Sequence, residues 1–201
     1  QGVDASMRLV GRGGLRWSAL AYLQHRDFSS GFASVSAGRA PPPPTLDQLV
    51  PAPGGGARIE IDPPLGDGAT LRLGGDLRHT TGRTRELYSY AAGSPTRRRS
   101  AGGETLTSGL FADLSIERGA LTLSAGGRVD RWSIADGSLV ETPLAGGAPF
   151  TDTRFADRSG WEASGRAGAA LRLAPAVSVR TAAYTGWRLA ALNGVYRPLP
   201  A

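Results

Sequence analysis

The sequence contains no cysteine and no lysine. Without cysteine there can be no disulfide, thiolate zinc site or cysteine nucleophile. Without lysine, a Walker-type phosphate loop and Schiff-base chemistry are excluded. Histidine occurs only as His25 and His79, too far apart in sequence to point to a histidine-rich metal site. Aromatic residues make up 7% of the 201 residues, few for the core of a soluble all-β domain. No apolar run reaches the ~18 residues that read as a membrane helix.

What is abundant is equally directive. The 29 glycines and 14 prolines favour turns over long helices. All 23 basic residues are arginine and stand against 17 acids, a net charge of +6. With so much Ala, Gly and Pro beside them, the arginines read as GC-rich coding rather than as a nucleic-acid signature. Residue 1 is Gln, and no charged segment followed by an apolar one comes after it, so no signal peptide is expected. The chain stops at Arg197-Pro198-Leu199-Pro200-Ala201 with no terminal element in view, and the expectation is a fragment of one domain spanning 1–201.

The dominant pattern is the strand period of two. Ala69, Leu71, Leu73, Gly75 and Leu77 alternate with Thr70, Arg72, Gly74, Asp76 and Arg78. Leu121, Leu123, Ala125, Gly127 and Val129 alternate with Thr122, Ser124, Gly126, Arg128 and Asp130. Trp161, Ala163, Gly165, Ala167, Ala169 and Leu171 alternate with Glu162, Ser164, Arg166, Gly168, Ala170 and Arg172. Similar alternation covers 104–117 and 177–184, with noisier candidates at Met7–Val10, Leu15–Phe28 and Ala57–Asp62, making eight strands. Soluble strands usually run about 5–6 residues and a tilted membrane-spanning strand about 9–11, whereas several of these run 11 to 14. One face is apolar but rich in Ala and Gly, and the other carries charges of both signs, as lipid-facing and lumen-facing surfaces do. After Asp130 the phase slips, which predicts a bulge or strand continuing above the membrane.

Short links at Gly11–Gly14, Leu65–Gly68, Arg118–Gly119 and Ala174–Pro175 alternate with long ones at 29–56, 89–103 and 137–160. Outer-membrane barrels show this asymmetry, with short periplasmic turns and long extracellular loops. The fold class read from the chain is therefore an all-β, partial transmembrane antiparallel barrel. Trp132, Trp161 and Trp187 fall toward the long-loop ends, where interface aromatics of a girdle belong, and Trp17 falls near a short-turn end.

The stretch Gly186-Trp187-Arg188-Leu189-Ala190-Ala191-Leu192-Asn193-Gly194-Val195-Tyr196-Arg197-Pro198 resembles a barrel segment of TonB-dependent outer-membrane receptors. In that family a Gly-aromatic-Arg start leads to Pro-Thr-Leu-Asn-Glu-Leu-Tyr-Arg-Pro. Gly186, Trp187, Arg188, Leu192, Asn193, Tyr196, Arg197 and Pro198 match; Ala190, Ala191, Gly194 and Val195 depart from it. Gly74-Gly75-Asp76-Leu77-Arg78 and Gly126-Gly127-Arg128-Val129-Asp130-Arg131-Trp132 look like strands of the same family. The resemblance implies an outer-membrane location in a Gram-negative bacterium and active uptake of a scarce ligand, such as a ferric siderophore or cobalamin. It implies no cofactor. The implied partners are membrane lipid, lipopolysaccharide and the TonB complex, the last through a plug region that the sequence does not show.

Arg97, Arg98 and Arg99 lie in an expected outer loop, where they offer anion contacts to lipopolysaccharide phosphate or an acidic ligand. A solvated loop run is the simpler reading. Pro41–Pro44 reads as a stiff spacer in polyproline II form. Asp76, Asp113, Asp130 and Glu162 have no motif to make them a carboxylate pair for glycoside chemistry, and read as lumen charges. Gly-x-Ser-x-Gly is absent and neither histidine has a local triad partner. His79 is expected to cap the outer end of its strand and His25 to sit in a strand near the interface. An enzyme is the least favoured class. Two rival readings are a complete small eight-stranded barrel of structural or adhesive role, and a soluble carbohydrate-binding β-sandwich.

Overall fold

The structure, a computed structural model, describes residues 1–35, 42–190 and 192. These form one antiparallel sheet. Its strands are β1 (Gly2–Gly11), β2 (Arg16–Ala33), β3 (Pro44–Asp62), β4 (Ala69–Ala91), β5 (Ser94–Arg118), β6 (Leu121–Pro143), β7 (Thr151–Arg154), β8 (Arg158–Ala174) and β9 (Val177–Tyr184). Each pairs with the next in sequence, except that the four-residue β7 caps the upper part of β6, and β8 continues the sheet alongside β6. β1 and β9 do not pair, so the sheet is open. An antiparallel meander places the turns at 12–15, 63–68, 119–120 and 175–176 at one end. The connections at 34–43, 92–93 and 144–157 lie at the other.

The eight expected strands are present, with β7 as a ninth, but most are much longer than the alternation alone indicates. Residues 89–103 are not a loop. β4 and β5, with 23 and 25 residues, run together to a two-residue turn at Ala92-Gly93. Much of 29–56 and 137–160 is strand as well. At ~3.3 Å per residue β5 is roughly 80 Å long, several times the ~25 Å apolar band of an outer-membrane barrel. These strands are therefore much longer than such a band requires.

Local chemistry explains where the ladders break. β3 pairs with β4 up to Leu49–Arg85 and again from Gly54–Thr80, and the gap between holds Pro51 and Pro53. Neither proline has an N–H to donate, and in strand geometry residues two apart present that group to the same neighbour. Pro44, the first residue of β3, sits at a permitted strand position. Pro41 lies outside the described residues, and Pro42-Pro43 lead directly into β3. A bulge interrupts β5–β6, where Gly102 pairs with Ser138 and Glu104 with Ala135. Asp136 takes a positive φ of 52° there. The bulge comes later than the sequence phase slip, so Trp132 and Ile134 keep the polar register and do lie on that face.

Burial shows the sheet has no packed interior of the usual kind. Only Ala101 and Ile134 are buried hydrophobic residues among those described, while Leu110 in the middle of the sheet is 73% exposed. Among the described residues no second sheet covers the apolar face, which goes against the sandwich reading, and β1 and β9 form no ladder, which goes against the closed eight-stranded barrel.

Candidate functional site

The register assembles the polar face into rows. Arg58, Asp76, Gly109, Asp130 and Glu162 face one another across five strands, and Arg72, Asp113, Gly126 and Arg166 form a second row nearer the short turns. Arg128 is the centre. Its guanidinium grips Asp76 with two bonds of 2.6 and 2.9 Å, and its Nε donates to Asp130 at 2.8 Å. Such fork-to-carboxylate pairs are the geometry arginine favours over lysine. A Cβ on Gly109 would collide with both the Asp130 carboxylate and the Arg128 guanidinium, so the absent side chain at that position makes room for the network. Phe111 lies beneath two guanidinium groups, with Arg58 at 4.8 Å and Arg128 at 5.9 Å from the ring centre. Arg166 binds Asp113 and Arg72 binds Asp62. Asp76, Asp113 and Asp130 are thus each held by arginine, and Glu162 sits beside Asp130 in the row.

The motif residues at the C-terminal end enter this face. Pairing of β9 with β8 ends at Thr185, whose N–H donates to Gly165 O. The chain then passes over the polar side of β8, and Trp187 Nε1 donates to Asp130 Oδ2 at 3.0 Å. Leu192 approaches Gly82 on β4. Gly186 and Arg188 flank the tryptophan and are exposed. Asn193, Tyr196, Arg197 and Pro198 lie outside the described residues. Of the three tryptophans expected in a lipid-facing girdle, Trp161 is on the apolar face, 67% exposed, with Arg131 stacked at 5.6 Å from its ring. Trp132 keeps the polar register, its ring against Gly160, and Trp187 is drawn to Asp130. Those two are on the wrong face for a girdle.

Higher up, the polar face is tied by a second cluster. Glu86 is buried between Arg99 Nε at 2.7 Å and Gln48 Nε2 at 3.3 Å, and Ser30 bonds Gln48 in turn. Arg97 pairs with Glu141 and stacks on Phe150 at 4.3 Å. The arginine run is thereby split by strand alternation: Arg97 and Arg99 are neutralised on the polar face, and Arg98 is exposed on the opposite one. His79 does not cap a strand end. It lies mid-strand in β4, 3.1 Å from Glu104, because β4 continues to Ala91. His25 lies within β2 beside Asp27. Sequence reasoning named Arg128, Asp76 and Asp130 separately but missed that they form one network. The signal for it was the Arg-x-Asp spacing on one strand and an Asp in phase two strands away.

Strands of this length, charged on one side and apolar on the other in an open antiparallel meander, define a segment of transmembrane β-barrel wall. The sequence matches the family described as "TonB dependent receptor-like, beta-barrel" over residues 5–199, and the chain belongs to that family. Its fold is similar to that of the ferric yersiniabactin uptake receptor FyuA from Yersinia pestis, at 14% identity and a TM-score of 0.66. That likeness covers 89% of this chain and 27% of the receptor. It is similar also to the ferric citrate transporter FecA in its unliganded form, at 11% identity and a TM-score of 0.60, covering 90% of this chain and 26% of that one. The chain thus spans about a quarter of the length of these receptors. No curated protein sequence matches it.

Proposed function

We propose that this chain is part of the wall of an outer-membrane receptor that imports a scarce, large ligand using energy delivered through TonB. The observation that carries the reading is the family match over nearly the whole chain, on a sheet with one apolar and one charged face. A ferric siderophore or similar chelate is the ligand class, in line with the ferric complexes named for the two similar structures. The role of the wall is mechanical and electrostatic. The Arg128–Asp76–Asp130 network fixes adjacent strands and supplies a charged lining, and no chemical step is required of it. TonB acts through a plug region and the apolar face sits in outer-membrane lipid.

The test is expression of the whole receptor that carries this wall segment, plug included, in the outer membrane of a Gram-negative host lacking its own ferric-chelate receptors. Radio-iron uptake is then followed from ferric yersiniabactin and ferric citrate, with and without TonB. Uptake of one of them that vanishes in the TonB-deficient host is the expected result. Flux that is equal with and without TonB would show a passive pore and overturn the reading.

A further inference from the structure

Beyond β9 the chain leaves the ladder. The bond from Thr185 N to Gly165 O is the last to the wall, and among the described residues 186–190 make no backbone hydrogen bond to it. Exposure still alternates there: Gly186, Arg188 and Ala190 are exposed, while Trp187 and Leu189 are half-buried. One side of the segment thus rests on the polar face of the sheet and the other is turned away from it. Two side-chain contacts tie it down. Trp187 Nε1 donates to Asp130 Oδ2 on β6 at 3.0 Å, and Leu192 lies over Gly82 on β4.

Asp130 stands in the row of Asp76, and Gly82 is six residues further along β4, so the segment crosses the wall obliquely. A one-layer sheet buries a side chain only where something lies over it. Four of the buried side chains on this face, Asp130, Ile134, Ala101 and Thr84, gather around that line. The seat is shaped by missing side chains: Gly82 pairs with Gly103, and a Cβ on Gly82 would meet Leu192 alone within 4 Å, at 3.7 Å. The start of the segment is free to turn, because Gly186 has open space where a Cβ would stand and glycine restricts the backbone least. The Trp187 contact can also break without stranding a charge. Asp130 keeps the bonds from Arg128 Nε, at 2.8 and 2.9 Å, while the indole N–H passes to water. Losing a partner from a buried pair is costly chiefly because the other charge is left uncompensated, and here it is not. Segments held by few contacts and no ladder open locally while the rest of the fold stays intact.

We infer that residues 185–190, with Leu192, are a hinged strap on the lumen side of the wall. Gly186 is its hinge and Trp187 its latch. Seated, the strap narrows the lumen; when Trp187 lets go of Asp130 it lifts and clears the space, while the ladders beneath stay paired. The latch is the weaker side of the Asp130 junction, since Arg128 holds that carboxylate and Asp76 together whichever position the strap takes. The gating role rests on the transport reading above, whereas the movement itself follows from the contacts of this segment.

The experiment uses the whole receptor that carries this wall segment, freed of any cysteine elsewhere, since the segment itself has none. Nitroxide labels on Arg188→Cys and Leu123→Cys report the distance between strap and wall by pulsed electron resonance. Two distances are expected. Trp187→Phe, which keeps a ring but removes the N–H, should raise the share of the longer one at least threefold. A single distance that Trp187→Phe leaves unchanged would overturn the strap as a moving part. In a second receptor Gly82→Cys and Leu192→Cys are bridged with a reducible crosslinker, and radio-iron uptake from ferric yersiniabactin and ferric citrate is followed. Bridging should lower uptake at least tenfold, and reduction should restore it. Full uptake through the bridged receptor would overturn the gating role. No uptake by the unaltered receptor would defeat the transport reading, while two distances responding to Trp187→Phe would still establish the strap.

Discussion

At the scale of single residues, the polar face is an arrangement of arginines whose partners differ in burial, and the consequences of losing them differ accordingly. Glu86 has no exposed side-chain surface, and Arg99 beside it is 13% exposed. Glu86→Ala should destabilise the protein by about 3–5 kcal/mol, because it leaves a guanidinium without its counter-charge in a closed setting. Urea unfolding in micelles is the measurement. Arg58→Ala should cost under ~1 kcal/mol by the same assay, since its pair with Glu60 is half-exposed. Gly109→Val places a branched side chain where Asp130 and Arg128 meet. It should therefore release Trp187 from Asp130, seen as a change in tryptophan emission, while Gly127→Val, in open space, should not. The residues of this network were visible in the sequence as lumen charges, but their convergence was not. Period-two alternation assigns a face, and only the register between strands says which charges meet.

At the scale of elements, the turns and bulges decide how far each strand runs. The two-residue turn joining β4 and β5 needs positive φ at both positions, and Ala92 adopts 49° beside Gly93 at 80°. An alanine in that region is strained by roughly 1 kcal/mol, so Ala92→Gly or Ala92→Asn should raise stability by about 0.5–1 kcal/mol. An unchanged unfolding midpoint for both would contradict the turn geometry. The lower halves of the strands were legible because apolar and polar residues alternate without interruption there. The upper halves were not. In the upper part of β3, Pro51 and Pro53 and the run Gly54-Gly55-Gly56 carry loop-like composition, yet the ladder to β2 continues through them. Beyond Thr81 both faces of β4 and β5 are polar, so the alternation that marks a strand fades while the hydrogen bonding persists.

At the scale of the whole molecule, an open sheet with an uncovered apolar face is stable only where lipid covers that face and further strands complete the ladder at β1 and β9. Charge should then be tolerated on one side only. Ala167→Arg, near mid-bilayer on the apolar face, should cost roughly 2–4 kcal/mol, and Ala170→Arg, on the lumen face, markedly less. The most direct test of the two-faced wall uses the chain's lack of cysteine. Single cysteines are introduced in turn at each position from 121 to 130 on β6, spin-labelled, and read for collision with oxygen, which partitions into lipid, and with a water-soluble nickel chelate. Leu121, Leu123, Ala125, Gly127 and Val129 should favour oxygen, and Thr122, Ser124, Gly126, Arg128 and Asp130 the nickel chelate, in strict alternation. A profile with no two-residue period, or one in which the leucine positions meet the nickel chelate as freely as the arginine position, would contradict a transmembrane wall.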